Sequence, residues 1–109
     1  MPKIYKVLAQ SAPSATTNTD ILTVGAGKQV VISTITVCNR GAVASTYRIA
    51  IRPSGANLAN QHYIAYDVTC PASDTVALTM GVTANATDVV TVYSSTTNLT
   101  FCLFGSEVS

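Results

Sequence analysis

Residues 46–53 read TYRIAIRP and residues 61–70 read QHYIAYDVTC. In the first run Tyr47, Ile49 and Ile51 fall on one side, and Arg48, Ala50 and Arg52 on the other. Successive side chains of a strand point to opposite faces, so this two-residue period marks a half-buried strand. The second run alternates in the same way, with His62, Ile64, Tyr66 and Val68 set against Gln61, Tyr63, Ala65 and Asp67. On this reading Tyr47 and Tyr66 face a core, while Tyr63 faces solvent. Working outward, NLTFCLFG (98–105) sets Leu99, Phe101 and Leu103 against Thr100, Cys102 and Phe104. KQVVISTITVC (28–38) is β-branched almost throughout, which favours strand over helix. IYKVLAQ, DILTV, DTVALTM and DVVTVYSS are shorter runs of the same kind.

Turn-favouring residues separate these runs: Gly25-Ala26-Gly27, Asn39-Arg40-Gly41, Pro53-Ser54-Gly55, Pro71 to Asp74, Ala84-Asn85-Ala86 and Thr96-Thr97-Asn98. About eight short strands with such punctuation predict an all-β chain. The expected architecture is an antiparallel two-sheet β-sandwich with jelly-roll or immunoglobulin-like connections, as one domain over residues 1–109. No segment keeps a 3.6-residue apolar period, and ANLANQHY (56–63) has room for one helical turn at most. Residues 1–19 form a plausible strand followed by a long polar connection. They are a candidate arm, pairing either with their own sheet or, as an exchanged strand, with a neighbouring subunit.

Charged residues make up 10% of the chain, against about 25% in an ordinary soluble protein. Ser and Thr supply about a quarter of the residues, so the polar surface is mostly hydroxyl. With a net charge of +1, such a surface repels copies of itself weakly and suits a protein packed within an assembly. A nucleic-acid binder would need a basic patch, but the six Lys and Arg residues are scattered, so no nucleic-acid partner is expected. No apolar run approaches the ~18 residues that would span a bilayer, so no membrane partner is expected either. The opening residues lack a continuous apolar stretch, and the expected site of synthesis is a cytoplasm.

The segment ITVCNRG (35–41) places a thiol, an amide and a guanidinium in a row, a cluster of the kind expected at an active site. A nucleophilic Cys38 would need a base in reach, and His62 is the only histidine. The structural reading explains more: Asn39 tolerates turn dihedrals, Gly41 supplies positive φ, and the motif stops a strand. Asp20, Asp67, Asp74, Asp88 and Glu107 are too widely spaced for an acid–base pair, and Asp74 and Asp88 suit turn capping. VGAGKQV (24–30) lacks phosphate-loop spacing and leads into a strand. The expectation is no enzyme, no cofactor and no metal site, since one histidine and three cysteines without C-x-x-C supply no zinc set. Cys38, Cys70 and Cys102 cannot all pair within one chain and are candidates for a disulfide between subunits in an oxidising medium. Two N-x-T tripeptides, at Asn85 and Asn98, are read as coincidence in a threonine-rich chain. Tyr63 and Tyr93 are the candidate surface aromatics for a glycan partner.

Four stretches together resemble a known class: YKVLAQSAP near the start, TDILTVGAGKQVVISTITVCNRG, TYRIAIRPSGANLANQHYIAYDV, and PASDTVALTMGVTANATDVVTVYSSTTNLTFCLFGSE. Nearly end to end, the chain is similar to the small single-domain β-sandwich virion structural proteins of tailed bacteriophages, including those infecting cyanobacteria. The resemblance implies a non-enzymatic virion component made in the host cytoplasm, serving as capsid decoration or cement, or as a tail or neck accessory. Its implied partners are other virion proteins and copies of itself as a homo-oligomer. For such assembly Arg48 and Arg52, about 13 Å apart along one strand face at ~3.3 Å per residue, are candidate interface cations. Their candidate partners are Asp67, Asp88 and Glu107. The alternative is an adhesion module of a tail fibre or baseplate that binds a host-surface glycan.

Overall fold

The computed structural model describes residues 3–108. Eight strands follow in order: β1 (Lys3–Ser11), β2 (Thr19–Thr23), β3 (Gln29–Asn39), β4 (Ser45–Arg52), β5 (Tyr63–Cys70), β6 (Thr75–Ala84), β7 (Val89–Ser94) and β8 (Leu99–Val108). Between β4 and β5 lie two short 3-10 turns, Pro53–Gly55 and Asn60–His62. The second falls within the segment expected to make one helical turn. Residues 1 and 2 of the N-terminal arm lie outside the described residues.

The strands form two four-stranded antiparallel sheets, with order β1-β8-β3-β6 in one and β2-β7-β4-β5 in the other. The pairings β4–β5, β3–β6, β2–β7 and β1–β8 nest inside one another, as if one long hairpin had been rolled over itself. That connectivity is the jelly roll, and it decides between the two sandwich topologies expected from the sequence. Strand β1 pairs with β8 of its own chain from Lys3 to Ser11.

The core lies between the sheets. Val30, Ile32, Ile35, Val37, Leu99, Phe101 and Leu103 come from one sheet, and Tyr47, Ile49, Val90 and Val92 from the other. Burying a side chain of this size is worth roughly 1.5–3 kcal/mol. Tyr47 crosses the gap to meet Phe101 edge-on, with ring centroids 6.2 Å apart, in the geometry aromatic quadrupoles favour. The alternation read in TYRIAIRP holds: Tyr47 and Ile49 are buried, and Arg48 and Arg52 lie on the outer side.

Bulges in β3 and β5 break the alternation. In β3, Ile32 and Thr34 pair consecutively across β8, so Ser33 is the extra residue. The inward set therefore switches from Val30 and Ile32 to Ile35 and Val37. In β5, Tyr66 and Asp67 together oppose Arg48, with Asp67 at φ 51°. Tyr66 is consequently 55% exposed instead of facing the core. Ile64 and Val68 are exposed as well, and the residue packed inward is Ala65.

Candidate functional site

The bulge in β5 builds the most organised polar cluster on the surface. A two-for-one bulge turns adjacent side chains to the same side, and here Tyr66 and Asp67 both reach Arg48. The Arg48 guanidinium lies 4.3 Å from the centroid of Tyr66 on β5 and 4.3 Å from that of Tyr93 on β7. Its Nε donates to Asp67 Oδ1 at 2.6 Å and an Nη donates to Oδ2 at 3.4 Å. Sandwiching between ring faces and pairing with a carboxylate both favour the cation. The bond to Asp67 is the main cause that raises the Arg48 pKa, so the group stays charged throughout the accessible pH range. Tyr63 meets Tyr66 edge-to-face at 4.8 Å. Beside this pair opens a cleft of about 350 Å³ lined by Asn60, Tyr63 and Tyr66.

Tyr63 and Tyr93, singled out in the sequence, thus belong to one row with Tyr66 and Arg48 between them. Tyr66 is the member that sequence reasoning missed, because alternation assigned it to the core. The signal for its exposure was weak: an aspartate after the tyrosine, a residue type that tolerates left-handed dihedrals.

The five candidate interface charges lie in four places. Arg48 and Asp67 pair with each other. Arg52 binds Asp20 Oδ2 at 2.8 Å and Thr91 Oγ1 at 3.0 Å, while Thr91 Oγ1 donates to Asp20 Oδ1 at 2.8 Å. Asp88 accepts from the backbone N–H groups of Ser54 (2.9 Å) and Asn85 (2.8 Å), tying the first 3-10 turn to the β6–β7 turn. Glu107 lies on the other sheet, 3.3 Å from Lys6 Nζ and 3.6 Å from Lys28 Nζ. The two arginines therefore have partners within the chain, Asp67 and Asp20, and of these only Asp67 was among the named acids.

ITVCNRG ends β3 and ties together one end of the sandwich. Asn39, 2% exposed, donates through Nδ2 to the carbonyls of Val43 (2.9 Å) and Cys70 (3.1 Å) and accepts from the Gly41 N–H at 2.9 Å. Arg40 donates to Thr100 Oγ1 at 2.9 Å and to the Thr97 carbonyl at 2.6 Å. The expected positive φ at Gly41 is corrected: the described glycines with positive φ are Gly27 and Gly55. At Gly41 the constraint is space, since a Cβ would run into the Asn98 side chain. His62 sits in the second 3-10 turn, where Nδ1 accepts from the Ala59 N–H at 3.1 Å. Among the described residues no group of three His, Cys, Asp or Glu is placed to hold a metal ion.

Cys38, Cys70 and Cys102 are all free thiols. Cys70 is fully buried, and its Sγ–H points at the carbonyls of Val37 (3.6 Å) and Asp74 (3.7 Å). This removes Cys70 as a candidate for a bond between subunits, because its sulfur has no path to a neighbour without opening the core. Cys38 and Cys102 are half-buried. Burial first, and the charge on Asp74 second, push the Cys70 thiol above its ordinary value of 9.0. Burial likewise raises Tyr47 above 10.0.

Both groups are acids that ionise more readily in the unfolded chain. Between the unfolded and folded values the native state holds more protons, so stability falls as pH rises. The expected result is a melting temperature that is level as pH approaches 9 and declines above it. Cys70→Ala should show a shallower decline than wild type in thermal melts run from pH 8 to 10.5. Equal slopes would exclude a contribution from the thiol.

No protein-family model matches the chain, and no curated protein matches it.

Proposed function

We propose that this chain is a non-enzymatic structural subunit of a bacteriophage particle, acting as capsid decoration or cement or as a tail or neck accessory. The observation that carries assembly is the location of the exposed apolar side chains. Among the described residues eight large hydrophobic side chains are exposed, and six of them lie on β1 and β5: Ile4, Tyr5, Val7, Ile64, Tyr66 and Val68. Both are edge strands. An edge presents unpaired backbone groups, and soluble monomers ordinarily blunt it with charge, proline or a covering loop. Lys3 and Lys6 blunt β1 in part and Asp67 blunts β5, yet six exposed apolar side chains remain on these two edges, which suits a subunit whose edges are covered by neighbours. The phage context rests on the sequence resemblance described above.

The test is gold-labelled antibody against the full chain, applied to purified phage particles from a lysate that contains the protein. Label at fixed positions on particles is the expected result. Protein found only in the soluble fraction would overturn the proposal.

A second reading, a module that binds host-surface glycan, is favoured by the cleft. Its Tyr66 is held in place by Arg48 and Tyr63 by Tyr66, and the charge of Arg48 is matched by Asp67, so a neutral saccharide is the fitting ligand. On this reading Tyr66→Ala abolishes retention on a neutral-glycan array while Cys102→Ser leaves it intact. Absence of wild-type retention on every glycan would end it.

A further inference from the structure

Strand registers divide the outer surface of the sheet β1-β8-β3-β6 into cross-strand rows. Thr75, Cys38 and Thr100 form the first row. Ala77, Thr36, Cys102 and Gln10 form the second. The third is Thr79, Thr34, Phe104 and Val7, and the fourth is Thr83, Val31, Ser106 and Tyr5. The intervening rows carry the core residues Val37, Phe101, Ile35 and Leu103 and, past the bulge, Ile32, which fixes the four rows as the outward ones; Ser106 is their one buried member. None of these residues is charged. Charge stands only at the ends of the face: Lys3 lies 5.2 Å from the Tyr5 ring centroid at one end, and Arg40 bonds Thr100 at the other.

The opposite sheet is different. Its outer side bears Arg48 with Asp67, and Arg52 with Asp20, all engaged in ion pairs. The molecule therefore has one uncharged β-face and one charged β-face.

We infer that the uncharged face is a self-association surface, covered by the same face of a second copy in a two-fold dimer. This deepens the assembly reading, on which it rests, by naming the face and the partner. The choice of a second copy follows from charge. Covering this face with the other sheet would bury two ion pairs without new partners, which costs more than the contact returns. An uncharged face of the same size covers it without desolvating an ion, and a second copy supplies one. A contact of identical faces closes on itself as a two-fold dimer. β-branched and aromatic side chains, here Thr34, Thr36, Val31, Val7, Phe104 and Tyr5, interdigitate when two sheets stack ~10 Å apart. The rows from Val31 to Cys38 span ~23 Å, and four strands span ~19 Å, from ordinary strand geometry. That footprint is at the small end for a specific interface, where each partner ordinarily buries ~800 Å². The dimer is accordingly weak, and repetition across a particle would strengthen it.

Sedimentation equilibrium of the full chain from ~5 to ~500 µM covers the range of a weak dimer. The expected mass rises from the 11.3 kDa monomer toward twice that value. Ala77→Lys, at an exposed position on β6, and Thr36→Lys, at the centre of the face, are expected to hold the chain monomeric. Thr69→Lys, exposed on the other sheet, is expected to dimerise as wild type does. Cys38 and Cys102 lie on the face, so their alkylation should slow several-fold as concentration rises through the Kd. A monomer mass throughout, or a dimer indifferent to both Ala77→Lys and Thr36→Lys, overturns the inference. Particle labelling is scored separately, so a monomer that still labels particles would sink the face assignment alone.

Discussion

Replacing Gly105 with alanine is expected to destabilise the protein by about 3 kcal/mol or more, at the upper end of overpacking effects. Gly105 lies on β8, the strand flanked by β1 and β3, where it pairs with Lys6 on one side and Ile32 on the other. A Cβ there would collide with the carbonyl oxygen of Val31, a backbone atom with no rotamer to yield. The crowding follows from the bulge at Ser33, whose hydroxyl donates to the Phe104 carbonyl at 3.2 Å and holds the two strands close. With pairs on both sides, β8 cannot move aside without breaking two ladders. For a domain of this size the loss corresponds to a fall in melting temperature of roughly 12–24 °C. Gly81→Ala is the control, because a Cβ at Gly81 meets nothing within 4 Å. That variant should stay within about 0.5 kcal/mol of wild type. Calorimetric melts that coincide for Gly105→Ala and wild type would show that β8 and β3 are not this close.

Asn39→Ala ranks second, with an expected loss of about 3 kcal/mol. Its amide makes three bonds at a buried position, to Val43, Cys70 and Gly41. Truncation removes a hydrogen-bond partner from two carbonyls and one N–H, and where the group is buried, as at Cys70, the loss carries the desolvation cost. The same residue closes the end of β3, since its own N–H donates to the Asp74 carbonyl at 2.8 Å. Asn39→Asp is the sharper probe. The carboxylate still accepts from Gly41 but cannot donate to Val43 and Cys70, and it places a negative charge against two carbonyl oxygens. Urea unfolding should find Asn39→Asp weaker than Asn39→Ala at pH 7 and partly restored at pH 4, where a protonated carboxyl can donate. A pH-independent Asn39→Asp would mean that the side chain is solvated and ties nothing down.

These two positions differ in how far the sequence announces them. Asn39 was singled out in ITVCNRG as the end of a strand, and it does end β3. What sequence alone did not convey is that the amide ties the β3–β4 loop, which holds Gly41 and Val43, to the end of β5, because Cys70 comes near only after β4 and β5 have folded back. Gly105 gave no sign, since a glycine in a strand pattern has many explanations and only the approach of β3 selects one. The candidate site behaves likewise. Tyr63, Tyr93, Arg48 and Asp67 were named from the sequence, but as parts of separate hypotheses. The bulge at Asp67 brings them into one cluster and adds Tyr66, which alternation had assigned to the core.

Fold class, the number of strands and the inward set of β4 and β8 were legible in the sequence, because a period of two is a local property of the chain. Low charge and abundant hydroxyls likewise state at the outset that the surface is unusual. Tertiary structure decided the rest: jelly roll over immunoglobulin-like pairing, a charge-free face on one sheet, ion pairs on the other, and the aromatic cluster at the bulge. Each of these depends on which distant strand lies beside which and in what register. Backbone hydrogen bonds are the same for any pair of strands, so a linear sequence leaves those choices open until the two sheets close over a shared core.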